Sequence, residues 1–132
     1  MAKTWKYVKP LQSPDLILEF ELKAGYKFRD DFKTLVLNYN GGRPYWATIR
    51  TGHAMRTVKC FLSFNHGDLE NIWDTRDWEF VPAWYIPFAI DDGGNPFCFD
   101  RRSDKIIWLD HETGAELVMA MDFAGFIADM YE

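Results

Sequence analysis

The sequence predicts an α+β fold: an antiparallel β-sheet meander packed against an N-terminal helical hairpin and a C-terminal helix. Three observations predict it. Apolar residues recur at helical spacing near both ends of the chain. Between the ends run short aromatic and β-branched stretches, separated by clusters of Gly, Asn and Asp. The order is helices, then consecutively hairpinned strands, then a helix, which is the pattern of a sheet with helices gathered on one face. At 132 residues, with no repeat or linker-like tract, residues 1–132 are read as one domain with a single core.

Taken in order, Ser13 followed by Pro14 is a helix start, and Leu16, Ile17, Phe20 and Leu22 supply an apolar stripe that Gly25 ends. A second helix is expected over Asp30–Tyr39, with Phe32, Leu35, Val36 and Tyr39 at helical spacing and Asn40-Gly41-Gly42 as its stop. Pro44 to Arg50 and Thr57 to Phe64 read as strands joined by a turn at Gly52. A short helix is expected from Gly67 to Trp78, on the spacing of Leu69, Ile72 and Trp73. Strands follow at Tyr85 to Ile90, Pro96 to Phe99, Lys105 to Leu109 and Glu116 to Ala120, joined by turn-rich segments. Asp122 is placed to cap a last helix whose Phe123, Phe126, Ile127 and Met130 share one face.

Charge is distributed unevenly. Residues 1–66 carry a net +6, residues 67–90 a net −4 and residues 91–132 a net −7, within a total of −5. An acidic C-terminal half repels nucleic acid and steers a basic partner towards itself. With no long apolar run and no apolar stretch after the N-terminal lysines, no membrane partner is expected and the expected location is cytoplasmic. Cys60 and Cys98 sit in apolar, strand-like runs and are expected to be reduced and buried.

Three stretches resemble a known family. Phe28-Arg29-Asp30-Asp31-Phe32-Lys33-Thr34-Leu35-Val36, leading to Asn40-Gly41-Gly42, is similar to L-P-x-D-Y-x-x-F-L with its N-G-G ending, with Phe-Arg in place of Leu-Pro. Ile86-Pro87-Phe88-Ala89-Ile90-Asp91-Asp92-Gly93-Gly94-Asn95-Pro96-Phe97-Cys98-Phe99-Asp100 resembles I-P-F-A-x-D-G-G-G-N-x-F-x-x-D. Ile106 to Glu112 and then Asp122 to Ile127 resemble the closing strand and helix, with Asp122 in place of Ser. These motifs, in this order over residues 13–131, resemble the SUKH superfamily of Smi/Knr-type cell-wall regulators and bacterial immunity proteins. The resemblance implies a binding role without catalysis: an immunity protein that neutralises a cognate toxin, frequently a nuclease in this group, by protein–protein contact. The alternative it implies is a regulatory scaffold that binds a cellular enzyme or signalling protein.

No catalytic, cofactor-binding or metal-binding residue is assigned. His53, His66 and His111 with Cys60 and Cys98 lack the paired spacing of zinc ligands. Asp110-His111-Glu112 is the sharpest catalytic lookalike, yet it reads better as a turn. Asp91-Asp92-Gly93-Gly94-Asn95 lacks the full spacing of a calcium loop and reads as a hairpin turn. The partner-binding candidates are Trp73, Asp74, Asp77, Trp78 and Glu79, together with Asp91 and Asp92, because aromatic anchors ringed by one sign of charge suit a steered interface. Trp73 and Trp84 fit core or interface equally, while acidic neighbours favour exposure for Trp78. The expected assembly is a monomer, or a homodimer through an exposed edge strand.

Overall fold

The computed structural model describes residues 4–51 and 54–130; the turn expected at Gly52, together with His53, lies outside the described residues. Helix α1 (Asp15–Ala24) begins where the Ser13 hydroxyl accepts the Asp15 N–H at 3.2 Å, and it ends at Gly25, whose φ of 65° favours a residue without Cβ. Ile17, Phe20 and Ala24 form its buried stripe, while Leu22 points outward and is 75% exposed. Helix α2 (Asp30–Tyr39) buries Phe32 and Val36. The two helices are tied at their junction: Glu21 accepts the Phe28 N–H at 2.7 Å and pairs with Lys33 at 3.3 Å. Gly41 and Gly42 then turn the chain sharply. Gly41 has φ 70°, and a Cβ on Gly42 would stand 2.8 Å from the Tyr39 carbonyl oxygen.

The main sheet is an antiparallel meander of β3 (Thr48–Thr51), β4 (Ala54–Phe61), β5 (Tyr85–Asp91), β6 (Pro96–Asp100), β7 (Ile106–Leu109) and β8 (Glu116–Ala120), in that spatial order. It curls enough to bring β3 close to both β8 and α4 (Phe123–Asp129). Pro87 lies in central β5, where it cannot donate to the ladder. The register shifts between Pro87 and Ala89 at that point, which accommodates the missing donor. Asp122 caps α4 by accepting the Gly125 N–H at 2.8 Å, as its place before the Phe123 stripe leads one to expect.

Several boundaries differ from the sequence-based expectation, among them the start of β4 at Ala54 rather than Thr57. The strand expected from Pro44 to Arg50 is divided: Arg43–Pro44 (β2) pairs with Trp5–Lys6 (β1) in a separate two-stranded sheet, and only Thr48–Thr51 joins the main one. Hydrophobic alternation does not register such a break. The strand expected to reach Phe64 ends at Phe61, because the Ser63 and Phe64 N–H groups go instead to the Glu70 carbonyl and the Asn40 side chain. Helix α3 is only Ile72–Arg76: the Asn71 side chain accepts the Asp74 N–H at 2.8 Å and starts the helix there. Leu69, counted on the helical stripe, lies before that cap and is 91% exposed.

The core on the helical face of the sheet is a lattice of phenylalanine rings. Phe88 stacks on Phe99 at 4.4 Å between centroids, and Phe32 meets Phe99 edge-on at 5.0 Å. Aromatic pairs at such distances add to the burial of their area. Phe88 is fully buried at the centre of this lattice. Phe88→Ala is expected to lower unfolding free energy by about 3–5 kcal/mol, whereas Leu69→Ala is expected to change it by no more than about 0.5 kcal/mol; chemical denaturation of both variants checks the contrast.

Candidate partner-binding site

The central strands are apolar on both faces, and this decides where the site forms. Every residue of β6 and β7 is buried, as are the first six of β5. One face meets the helices. On the other, Tyr85, Cys98, Ile107 and Leu109 form a second small core, covered by Phe80 and Val81 from the segment between α3 and β5. The covering was not expected from the sequence, which indicates helices on one face only. Because Phe80 and Val81 are held down, the preceding Asp77-Trp78-Glu79 is laid across the end of the sheet beside two hairpin turns.

Those turns are closed by side-chain hydrogen bonds. Asp91 Oδ1 accepts the Gly93 and Asn95 N–H groups, each at 2.9 Å, and Asp91 Oδ2 accepts the Trp108 indole N–H at 2.9 Å. The Asn95 amide nitrogen donates back to Asp91, which leaves its oxygen facing the second turn. There it accepts from the His111 backbone N–H at 3.0 Å and lies 2.6 Å from His111 Nδ1, so the ring proton sits on Nδ1. Asp110 closes this turn by accepting the Glu112 N–H at 2.8 Å. Backbone N–H groups of Glu112, and then of Thr113, hold its carboxyl below the usual range.

Together the three segments enclose an open groove of about 390 Å³, lined by Trp78, Glu79, Phe80, Gly94 and His111. Its floor is aromatic: Phe80 lies 5.6 Å from Trp78 and 6.1 Å from His111, centroid to centroid. Its surroundings are acidic. Asp77 and Glu79 flank Trp78, Asp92 stands in the turn that carries Gly94, and Glu112 follows His111; all four are exposed. Residues 77–80, 91–95 and 110–114 contain no lysine or arginine.

The candidates named from sequence divide accordingly. Trp78 and Glu79 line the groove, and Asp77 and Asp92 stand on its bordering segments. Asp91 belongs to the same turn, but both of its oxygens are engaged within the fold. Trp73 and Asp74 stand apart from it. Trp73 donates its indole N–H to the Phe64 carbonyl at 2.8 Å and packs edge-on against Phe20, with His66 stacked at 4.1 Å. Asp74 accepts from the Asn71 amide at 3.0 Å as part of the α3 cap. Trp78 is half-buried rather than freely exposed, and Trp84, 43% exposed, carries the Arg102 guanidinium 5.1 Å above its ring. Phe80, Gly94 and His111 were not named as partner-binding residues. Only the apolar pair Phe80-Val81 after an acidic run signals such a covering segment.

The two cysteines are buried within the fold. Burial raises the Cys98 thiol well above its ordinary pKa, and burial followed by the Glu70 charge pushes Cys60 up to about 12. Both thiols are therefore protonated near neutrality. Among the described residues no group of three or more His, Cys, Asp or Glu could hold a metal ion, and no helix is long and apolar enough to cross a membrane.

Tyr85, under the covering segment, donates its hydroxyl to Glu116, and burial followed by this contact raises its pKa from 10.0 to about 12. Tyr26 is raised to about 12 as well, by burial and then by Asp104. Because the folded-state value lies above the unfolded one, the stability Tyr85 contributes is complete below pH 10.0 and is lost as pH rises towards 12. Ultraviolet titration is expected to show one fewer late-ionising tyrosine in Tyr85→Phe than in the parent, with a shallower loss of stability at alkaline pH in that variant.

No match is found among curated proteins. The chain does match a family model along most of its length: residues 12–129 fit the SMI1 / KNR4 family (SUKH-1), and the chain belongs to that family.

Proposed function

We infer that this chain is an immunity-type protein without catalytic activity, which neutralises a cognate toxin by placing its acidic groove over a basic surface of that toxin. One observation carries the reading: an aromatic floor of Trp78, Phe80 and His111 is bordered by the exposed carboxylates of Asp77, Glu79, Asp92 and Glu112, on segments that contain no lysine or arginine. A lysine or arginine side chain suits such a groove in both of its parts. Its aliphatic stem packs on the rings, and its charge meets the ring faces and the acidic border. Desolvated aromatic anchors supply most of the affinity of an interface, while surrounding charges accelerate encounter and reject wrong partners. Membership of the SMI1 / KNR4 family is consistent with an action through protein contact.

The reading is tested by co-expressing the chain with the toxin encoded beside its gene. Protection is expected from the parent chain and is expected to be lost when Asp77, Glu79 and Asp92 are all replaced by lysine, with the circular dichroism spectrum unchanged. Binding is expected to weaken as salt rises, because the bordering charges are exposed. Full protection by the triple-lysine variant rejects the groove as the docking surface. A neighbouring gene product that is not toxic, but binds the groove, favours the regulatory scaffold instead.

A further inference from the structure

A second, separate concavity carries the opposite charge. It is a cleft of about 310 Å³ between the N-terminal segment and β4, lined by Tyr7, Lys9, Gly41, Arg43, Lys59 and Glu70, with Cys60 as an apolar wall. Three cations face it and one carboxylate. Glu70 pairs with Lys59 at 2.9 Å, while Lys9 and Arg43 have no carboxylate within ion-pairing distance among the described residues. The Cys60 thiol, pushed up to about 12 by burial and then by Glu70, remains neutral. The lining side chains thus leave two positive charges uncompensated in a protein whose net charge is −5.

Each cation is held by backbone that the fold fixes. Lys9 is pinned on both sides, its N–H donating to the Asn40 carbonyl at 2.8 Å and its carbonyl accepting from the Asn40 amide at 2.7 Å. Gly41 leaves room for it: a Cβ there would stand 3.2 Å from Lys9 Cβ. Arg43 sits on β2, paired with Lys6 of β1. Lys59 lies at the register shift between Val58 and Cys60 in β4, and a bulge of this kind re-aims the side chain it carries. Tyr7 adopts φ 57°, a left-handed conformation uncommon outside glycine, in a segment that its surroundings must hold there.

We propose that this cleft binds a phosphate monoester, with Lys9 and Arg43 as its principal anchors and Lys59 as a third cation. The charge match favours phosphate over carboxylate: a monoester near neutral pH carries close to two negative charges and three acceptor oxygens, whereas a carboxylate would leave one cation unanswered. Arginine and lysine lining one cleft suit it, one as a planar fork and the other as a point charge. The volume, at the lower end for ligand pockets, admits the phosphate head and a small body.

Calorimetric titration with inorganic phosphate, at about pH 7.5 where the dianion prevails and at fixed ionic strength, tests the assignment. Saturable binding is expected, with acetate much weaker. Arg43→Gln and Lys9→Gln are each expected to weaken it about tenfold or more. Glu70→Gln, which removes the one opposing charge, is expected to tighten it, and no loss of folding can mimic that gain. Glycerol phosphate and a phosphoserine peptide, titrated in parallel, distinguish the sources: comparable affinity indicates a small phosphorylated ligand, and much tighter peptide binding indicates a phosphorylated protein segment. Absence of saturable binding, or affinities indifferent to Arg43→Gln, Lys9→Gln and Glu70→Gln, overturns the proposal.

Discussion

Strands β5, β6 and β7 carry apolar side chains on both faces, and neither face can be left to water. Helices α1, α2 and α4 cover one. The other must be covered by chain that is not part of the sheet, and the segment between α3 and β5 does so by docking Phe80 and Val81 on Tyr85, Cys98, Ile107 and Leu109. Everything at the candidate site follows from that requirement. The same segment that buries two apolar side chains presents Asp77, Trp78 and Glu79 next to the β5–β6 and β7–β8 turns. Core formation and surface chemistry are therefore carried by one short stretch of chain.

The turns beside it are held by carboxylates that act within the fold. Asp91 ties four hydrogen-bond donors, three in its own hairpin and the Trp108 indole, and Asp110 ties the next turn. Such carboxylates resemble binding residues in sequence, but they are taken up by donors of their own turns and of Trp108, whereas Asp92 and Glu112 stand exposed. A comparable network of buried amides secures the N-terminal segment. Asn40 bonds the Phe64 N–H, the Lys9 carbonyl and the Ser63 hydroxyl, while Asn65 bonds the Pro10 carbonyl and Asp68. Buried polar groups left unpaired are costly, so a fully satisfied set fixes the path of the N-terminal segment. That path is what places Lys9 in the cleft that Arg43 and Lys59 also line.

Much of the fold is legible in the sequence, because periodicity and turn chemistry report on burial directly. The spacing of Phe32 and Val36, the glycines after Asn40 and the Asp122 cap each mark an element that forms as expected. What the sequence hides is non-local. The pairing of Trp5–Lys6 with Arg43–Pro44 joins two segments far apart in the chain, and nothing in either announces the other. Leu69 has helical spacing relative to Ile72 and Trp73, yet the Asn71 cap starts the helix after it. At the site, the acidic tryptophan-bearing segment draws attention from sequence, but its composition does not separate Trp78, which lines the groove, from Trp73, whose indole is tied to the Phe64 carbonyl. His111 stands out as a catalytic lookalike. Its place is in the groove floor, set by Asn95, sixteen residues earlier in the chain.

The central claim is that the partner is received on the acidic, aromatic groove. Hydrogen exchange of the backbone amides, measured with and without the bound partner, tests it most directly. The account predicts that new protection concentrates in residues 77–80, 92–95 and 110–113. Protection confined to the outer faces of α1 and α2, with those three segments unchanged, would contradict it.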